Sequence, residues 1–132
     1  MIIIPETFIF LSVNMNIEEL REYCLSKPGA TECFPFDEDT LVFKIGSKMF
    51  AFSSLERPCN ITLKCDPYKA IELREKYSSI TAAFHMNKTY WNSLNIDGDI
   101  PRELICKLID LSYNLVMAKL TKAEKEKIIN GK

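Results

Sequence analysis

An α+β domain, with an antiparallel sheet of about five strands and helices packed on one face, is the fold class this sequence predicts. Three observations lead there. Gly46-Ser47 separates two runs of alternating apolar residues, 41–45 and 48–52, as a tight hairpin does. Residues 61–65 alternate again and run straight into Asp66-Pro67, a helix start. After Pro101, Leu104, Ile105, Leu108, Ile109, Leu111, Ser112, Leu115 and Val116 recur at helical spacing and form the stripe of a covering helix.

The elements follow in order. A helix over 17–26 is capped by Asn16, with Glu19 three residues on to close a capping box, and Pro28-Gly29 ends it. Ile17, Leu20, Tyr23 and Cys24 form its apolar face. In the hairpin, two-residue geometry pairs Ile45 with Lys48, Phe43 with Phe50 and Leu41 with Phe52. Leu41, Phe43, Ile45, Phe50 and Phe52 then share the face that helices must cover. Val42, Lys44, Met49, Ala51 and Ser53 take the other, wetter face. In the third strand Ile61, Leu63 and Cys65 point inward, and Thr62 and Lys64 outward. The helix opened by Asp66-Pro67 runs to Tyr77 with Ala70, Ile71, Arg74 and Tyr77 on one stripe. Residues 80–96 read as one or two strands with a turn near 85–88. The long helix ends near Lys119, and Thr121 with Glu124 forms a second capping box that opens a short, basic tail helix expected to fray.

At 132 residues the chain is about one domain long and buries a core without staples. We divide it into an apolar extension, 1–14, a single domain, 15–120, and the basic tail, 121–132. The extension lacks the basic start of a signal peptide, is interrupted by Pro5 and Glu6, and is too short to span a bilayer. It is the segment expected to meet another subunit or a protein partner. The formal net charge is −1, without the basic balance of a dedicated nucleic-acid binder. The balance is uneven, however. Between Pro28 and Phe43 every charge is acidic, whereas 40–95 holds eight Lys and Arg against four Asp and Glu. The five cysteines, an odd number with no C-x-x-C pair, argue against a disulfide framework and a zinc site, and fit reduced thiols in the cytoplasm.

His85 is the only histidine, and no serine sits in a nucleophile elbow, so no catalytic relay is visible. His85 and Asn87 are ligand-lining candidates for a small molecule, although satisfying backbone groups in a turn is the plainer role for both. Glu32, Asp37, Glu38 and Asp39 lack calcium-loop spacing, and Asp favours turns, so no metal and no cofactor is assigned. The open sheet face carries more information. Lys44, Thr62 and Lys64 project from it, with Trp91 and Ser93 set by alternation toward the same side. Lysines beside an aromatic ring are one way in which a sheet holds single-stranded nucleic acid, although an exposed face also carries lysine simply to stay soluble.

Two stretches add a resemblance. Lys27-Pro-Gly-Ala-Thr-Glu-Cys-Phe-Pro-Phe36 leads into the hairpin strands, and His85-Met-Asn-Lys88 is followed closely by Trp91. Together they resemble the MmcQ/YjbR family of small bacterial proteins, over nearly all of 15–120. The resemblance implies a CyaY-like fold, similar to that of frataxin, and DNA binding through a double-wing arrangement, with no family-wide catalytic residues. It therefore points to a non-enzymatic protein with DNA as partner. Charge and alternation place the contacts on Lys44, Lys48, Arg57, Lys64, Lys88 and Trp91. A protein-interaction module using Met49, Ala51, Val42 and the 1–14 extension is the alternative function.

Overall fold

Asn16 caps the helix α1 (Ile17–Leu25) by accepting from the Glu19 amide at 2.9 Å, while Glu19 accepts from the Asn16 amide at 3.1 Å. The computed structural model describes residues 15–83 and 86–131, so the expectations for 1–14 and for His85 lie outside the described residues. After α1 come β1 (Ala30–Cys33), β2 (Thr40–Ile45), β3 (Lys48–Ser54), β4 (Arg57–Lys64), α2 (Pro67–Lys76), β5 (Ile80–Ala82), β6 (Trp91–Asn95), α3 (Arg102–Met117) and α4 (Lys122–Ile129). The six strands form one antiparallel sheet in the order β1-β2-β3-β4-β6-β5. No described helix is long and apolar enough to cross a membrane.

The sheet has one strand more than expected. β1 is a short edge strand, ATEC, without apolar alternation. Its Glu32 points to the helical side, where Arg21 of α1 holds it through Nε at 2.7 Å. An ion pair, rather than a buried apolar row, ties this edge down.

The hairpin turns at Gly46-Ser47 as predicted, with Gly46 at φ +60 and Ser47 outside the positive-φ region, the arrangement of a type II′ turn. Ile45 pairs with Lys48, but the register then shifts. Phe43 faces Ala51, Val42 faces Phe52 and Leu41 faces Ser53, so Phe50 is an extra, unpaired residue in β3. Phe50 and Ala51 are therefore both fully buried toward the helices. Phe52, expected under the helices, instead lies on the opposite face, its ring 6.4 Å from that of Trp91. Ala51 and Ser53, expected outside, are inside. A bulge reverses the in–out parity of everything beyond it.

Ser112 of α3 explains why the bulge is stable. Its hydroxyl donates to the Phe50 carbonyl at 2.5 Å and accepts from the Lys64 amide at 2.8 Å. The backbone groups that the irregular ladder frees are thus satisfied by one buried side chain. Tyr113, the next residue, stands edge-on to Phe50 at 5.4 Å and donates its hydroxyl to the Pro28 carbonyl.

The core lies between the sheet and α1, α2 and α3, and includes Leu20, Cys24, Phe43, Ile45, Phe50, Ile61, Leu63, Ile105 and Ile109. Each large side chain buried here contributes about 1.5–3 kcal/mol. Ile71, placed on the apolar stripe of α2 by its spacing, is 47% exposed; Ala70 and Leu73 face the core instead. Asn92 fixes α2 to β6 by donating to the Ala70 carbonyl at 3.2 Å and accepting from Arg74 at 2.7 Å. The tail helix, expected to fray, is docked on the domain through two contacts. Glu124 accepts from the Ser47 amide at 2.8 Å, and Ile128 packs on the core beside Gly29, which holds α4 against the hairpin turn.

Candidate functional site

Antiparallel pairing carries four strand ends to one end of the sheet. The β2–β3 turn lies there, and so do the last residue of β4 and the first of β6, since Lys64 and Trp91 are in register. The C-terminal end of α3 reaches the same end. Between them lies an open cleft of about 340 Å³ lined by Lys48, Met49, Lys64, Trp91, Val116 and Lys119. A neighbouring cavity of about 430 Å³ shares Lys64 and Lys119 and adds Tyr90, Pro67 and Leu115.

The electrostatics follow from this crowding. The half-buried Lys64 ammonium is held below the usual lysine range, first by desolvation and then by repulsion from Lys119 and Lys48. Lys119 and Lys48 therefore both act on Lys64. Two carboxylates at this end of the fold accept backbone amides. Asp66, on the rim of the second cavity, caps α2 by accepting from the Lys69 amide at 3.1 Å, and Glu124 is held by Ser47. Lys119 follows the last turn of α3, where the helix carbonyls favour a cation.

Of the residues chosen from sequence, Lys48, Lys64 and Trp91 meet in this cleft. Lys44 lies one pair along the hairpin, opposite Met49, and is half-buried outside the lining. Lys88 is exposed in the turn that leads into β6. Arg57 opens β4 opposite Ser54, at the far end of the strand from Lys64. Trp91 is only 8% exposed and packs against Phe52, so it forms a wall of the cleft and offers no free face for stacking. Its neighbour Tyr90, 44% exposed, has the free ring.

Lys119 and Tyr90 escaped sequence reasoning. Lys119 comes from the end of a helix whose signal is its apolar stripe, and Tyr90 precedes the strand whose alternation was read. The positive charge of the tail from Lys119 onward was the one available clue to the former.

The other candidates take structural roles. Asn87 accepts from the Thr89 amide at 2.8 Å, and its carbonyl receives the amides of Tyr90 and Trp91, so it builds the turn before β6. Asp37 likewise accepts from the amides of Asp39 and Thr40 at 2.8 and 2.7 Å, and these bonds hold its carboxyl below the usual range. Among the described residues no group of three or more His, Cys, Asp or Glu is placed to hold a metal ion. Burial pushes the Cys24 thiol up to about 12 and raises those of Cys65 and Cys106, so these three serve as packing residues. The apolar face proposed for a protein partner is largely closed, with Ala51 at 0% and Val42 at 1% exposure. Exposed apolar side chains gather instead at the far end of the sheet, where Phe34 and Phe36 precede Asp37, Glu38 and Asp39, and Leu55 bonds through its amide to the Asp39 carbonyl.

Comparison with known proteins places this arrangement in context. A family model described as YjbR matches residues 25–115. The chain is 33% identical to the Escherichia coli (strain K12) protein YjbR over 116 residues, 87% of this chain and 98% of that one. It is 36% identical to the Escherichia coli O157:H7 protein YbdF over 115 residues, 86% of this chain and 94% of that one. Among solved structures, Deinococcus radiodurans protein DR2400 superposes with a TM-score of 0.80 at 38% identity, covering 86% of this chain and 87% of that one. A Pseudomonas syringae protein superposes with a TM-score of 0.67 at 27% identity, covering 76% and 98%.

Proposed function

This chain belongs to the YjbR family, and we propose that it is a non-enzymatic, cytoplasmic nucleic-acid-binding protein that holds the phosphate backbone with the lysines of the hairpin-end cleft. The observation that carries this reading is the convergence of Lys48, Lys64 and Lys119 on one open cleft. Lysine ammonium groups are compact point charges suited to phosphate, and the backbone they hold carries no sequence information. Tyr90 supplies an exposed ring beside them, which favours an unpaired strand, whose bases are free to stack, over a duplex. The near-neutral whole-chain charge keeps the affinity modest. The free cysteines suit the reducing cytoplasm.

Titration of labelled single-stranded and duplex DNA at low and moderate salt tests this. Each phosphate charge neutralised contributes roughly −0.7 to the slope of log K on log salt for a single strand, so a slope between about −0.7 and −2 is expected. Lys64→Gln or Lys119→Gln lowers that slope by about 0.7, whereas Lys107→Gln, on the exposed side of α3, leaves it unchanged. Absence of binding below about 100 μM at low salt rejects the proposal, because even non-specific binders reach that range.

A protein-interaction module is the second reading, favoured by exposed Phe34, Phe36 and Leu55 beside an acidic run at the opposite end of the sheet. Sedimentation of the full chain and of Phe36→Ser tests it for self-association. A monomer at every concentration in both removes self-association as its form.

A further inference from the structure

We infer that the lysine cleft is a phosphomonoester pocket, selecting the terminal phosphate of a nucleotide over the internal phosphodiesters of a strand. This inference rests on the nucleic-acid reading for its ligand class and adds a preference which that reading does not contain.

The shape of the site leads to it. A protein that tracks a strand spreads its cations along a groove, one for each successive phosphate. Here three lysines line a single cleft, Lys44 and Lys88 lie outside its lining, and Arg57 opens β4 at the far end of the strand from Lys64. An internal phosphodiester carries one negative charge. A phosphomonoester carries about −1.5 to −2 at pH 7, nearer to the charge of three lysines, and its three acceptor oxygens equal the lysines in number. The crowding of Lys64 by Lys119 and Lys48 in one cleft gives the site a reason to prefer the more highly charged group.

The adjoining cavity supplies room for the rest of the nucleotide. It shares Lys64 and Lys119 with the cleft, so a phosphate between those lysines has its sugar and base directed toward Tyr90, Pro67 and Leu115, past Cys65 and the Asp66 carboxylate that caps α2. Each cavity is of the size that holds one small ligand. Tyr90, 44% exposed in the lining of that cavity, can lie against a base without regard to which base it is.

The test uses the full chain and four labelled or titrated probes: a ten-residue oligothymidylate with a 5′-phosphate, the same strand with a 3′-phosphate, the same strand with hydroxyls at both ends, and free thymidine monophosphate. A terminal phosphate is expected to tighten binding about tenfold over the hydroxyl-ended strand, the size of one added charge-assisted contact. Lys64→Gln removes that difference, and Lys107→Gln keeps it; circular dichroism and a melting curve confirm that both variants fold. If the monophosphate binds and no oligonucleotide does, the pocket stands, free nucleotides are its source, and the nucleic-acid reading is rejected. If phosphorylated and hydroxyl-ended strands bind equally, backbone binding stands and the phosphomonoester pocket is overturned. Absence of binding by all four overturns both.

Discussion

The Ser112 hydroxyl stands 2.5 Å from the carbonyl oxygen of Phe50, and the Lys64 amide donates to the same hydroxyl at 2.8 Å. One buried side chain on α3 therefore joins β3 to β4 where the β2–β3 ladder skips a residue. It also sets the height of Lys64 at the edge of the cleft.

Ser112→Ala leaves two buried backbone groups without a partner. Each costs about 1–3 kcal/mol, less whatever the chain regains by relaxing, so a loss of about 2–4 kcal/mol is expected. Urea denaturation measures it as a lower midpoint with an unchanged slope. Hydrogen exchange at the Lys64 amide accelerates more than at Ile61, in the middle of the same strand. A midpoint within experimental error of the wild type would show that the bulge is satisfied some other way.

Much of this architecture was legible in the chain because periodic burial writes it there. The hairpin turn, both capping boxes, the inward row Ile61, Leu63 and Cys65 and the α3 stripe are all local patterns. The bulge was not legible. Its cause, Ser112, is 62 residues from Phe50 in the chain, and a serine within a helical stripe looks like any small residue. Every parity error, Phe52, Ala51 and Ser53, descends from that one insertion. β1 was missed for a related reason, since an edge strand held by Arg21 and Glu32 carries no apolar alternation. At the cleft, alternation found Lys48, Lys64 and Trp91, but the third lysine arrives from a distant helix end, and only the packing of α3 on the sheet shows it.

Lys64 costs stability at the place where the proposed binding needs its charge. Its folded-state pKa is lowered by desolvation, then by Lys119 and Lys48. Below that pKa the charged group destabilises the fold; between it and the unfolded lysine value the unfolded chain binds more protons, so stability rises with pH. Lys64→Met removes the repulsion and keeps the apolar stem. We expect stabilisation of a few tenths to about 1 kcal/mol, with loss of the alkaline rise and of most nucleic-acid affinity. Thermal melts at neutral and alkaline pH, paired with binding titrations, read both effects. A destabilised, binding-competent Lys64→Met protein contradicts the assignment.

Glu19 links α1 to α3. It accepts from Arg102 at 2.6 and 3.2 Å, and these bonds, ahead of the Asn16 amide, hold its carboxyl below the usual glutamate range. A depressed carboxylate stabilises the fold fully above its unfolded pKa, and that contribution fades as pH falls through the lower, folded value. Glu19→Gln retains part of the cap and loses the ion pair, at a cost of about 1–2 kcal/mol at neutral pH. The expected signature is a stability difference that shrinks as the solution is acidified from neutrality, measured by denaturant titration at several pH values. A difference independent of pH would assign the loss to capping geometry alone.

Gly46 ties the turn to the tail helix. At φ +60 any side chain is strained, and a Cβ there would sit 2.8 Å from the Glu124 Oε2 that receives the Ser47 amide. Gly46→Ala therefore incurs about 1–2 kcal/mol of backbone strain and also displaces Glu124, weakening the contact that seats α4. Glu124→Ala alone loses the Ser47 acceptor and half of the Thr121 capping box, at about 1 kcal/mol. The two effects share a contact, so the double variant should cost less than the two single costs added together, leaving mainly the strain at position 46. Denaturation of the four proteins in the cycle measures this coupling. Strict additivity would mean that α4 is held to the hairpin by Ile128 alone, and that the turn and the carboxylate act independently.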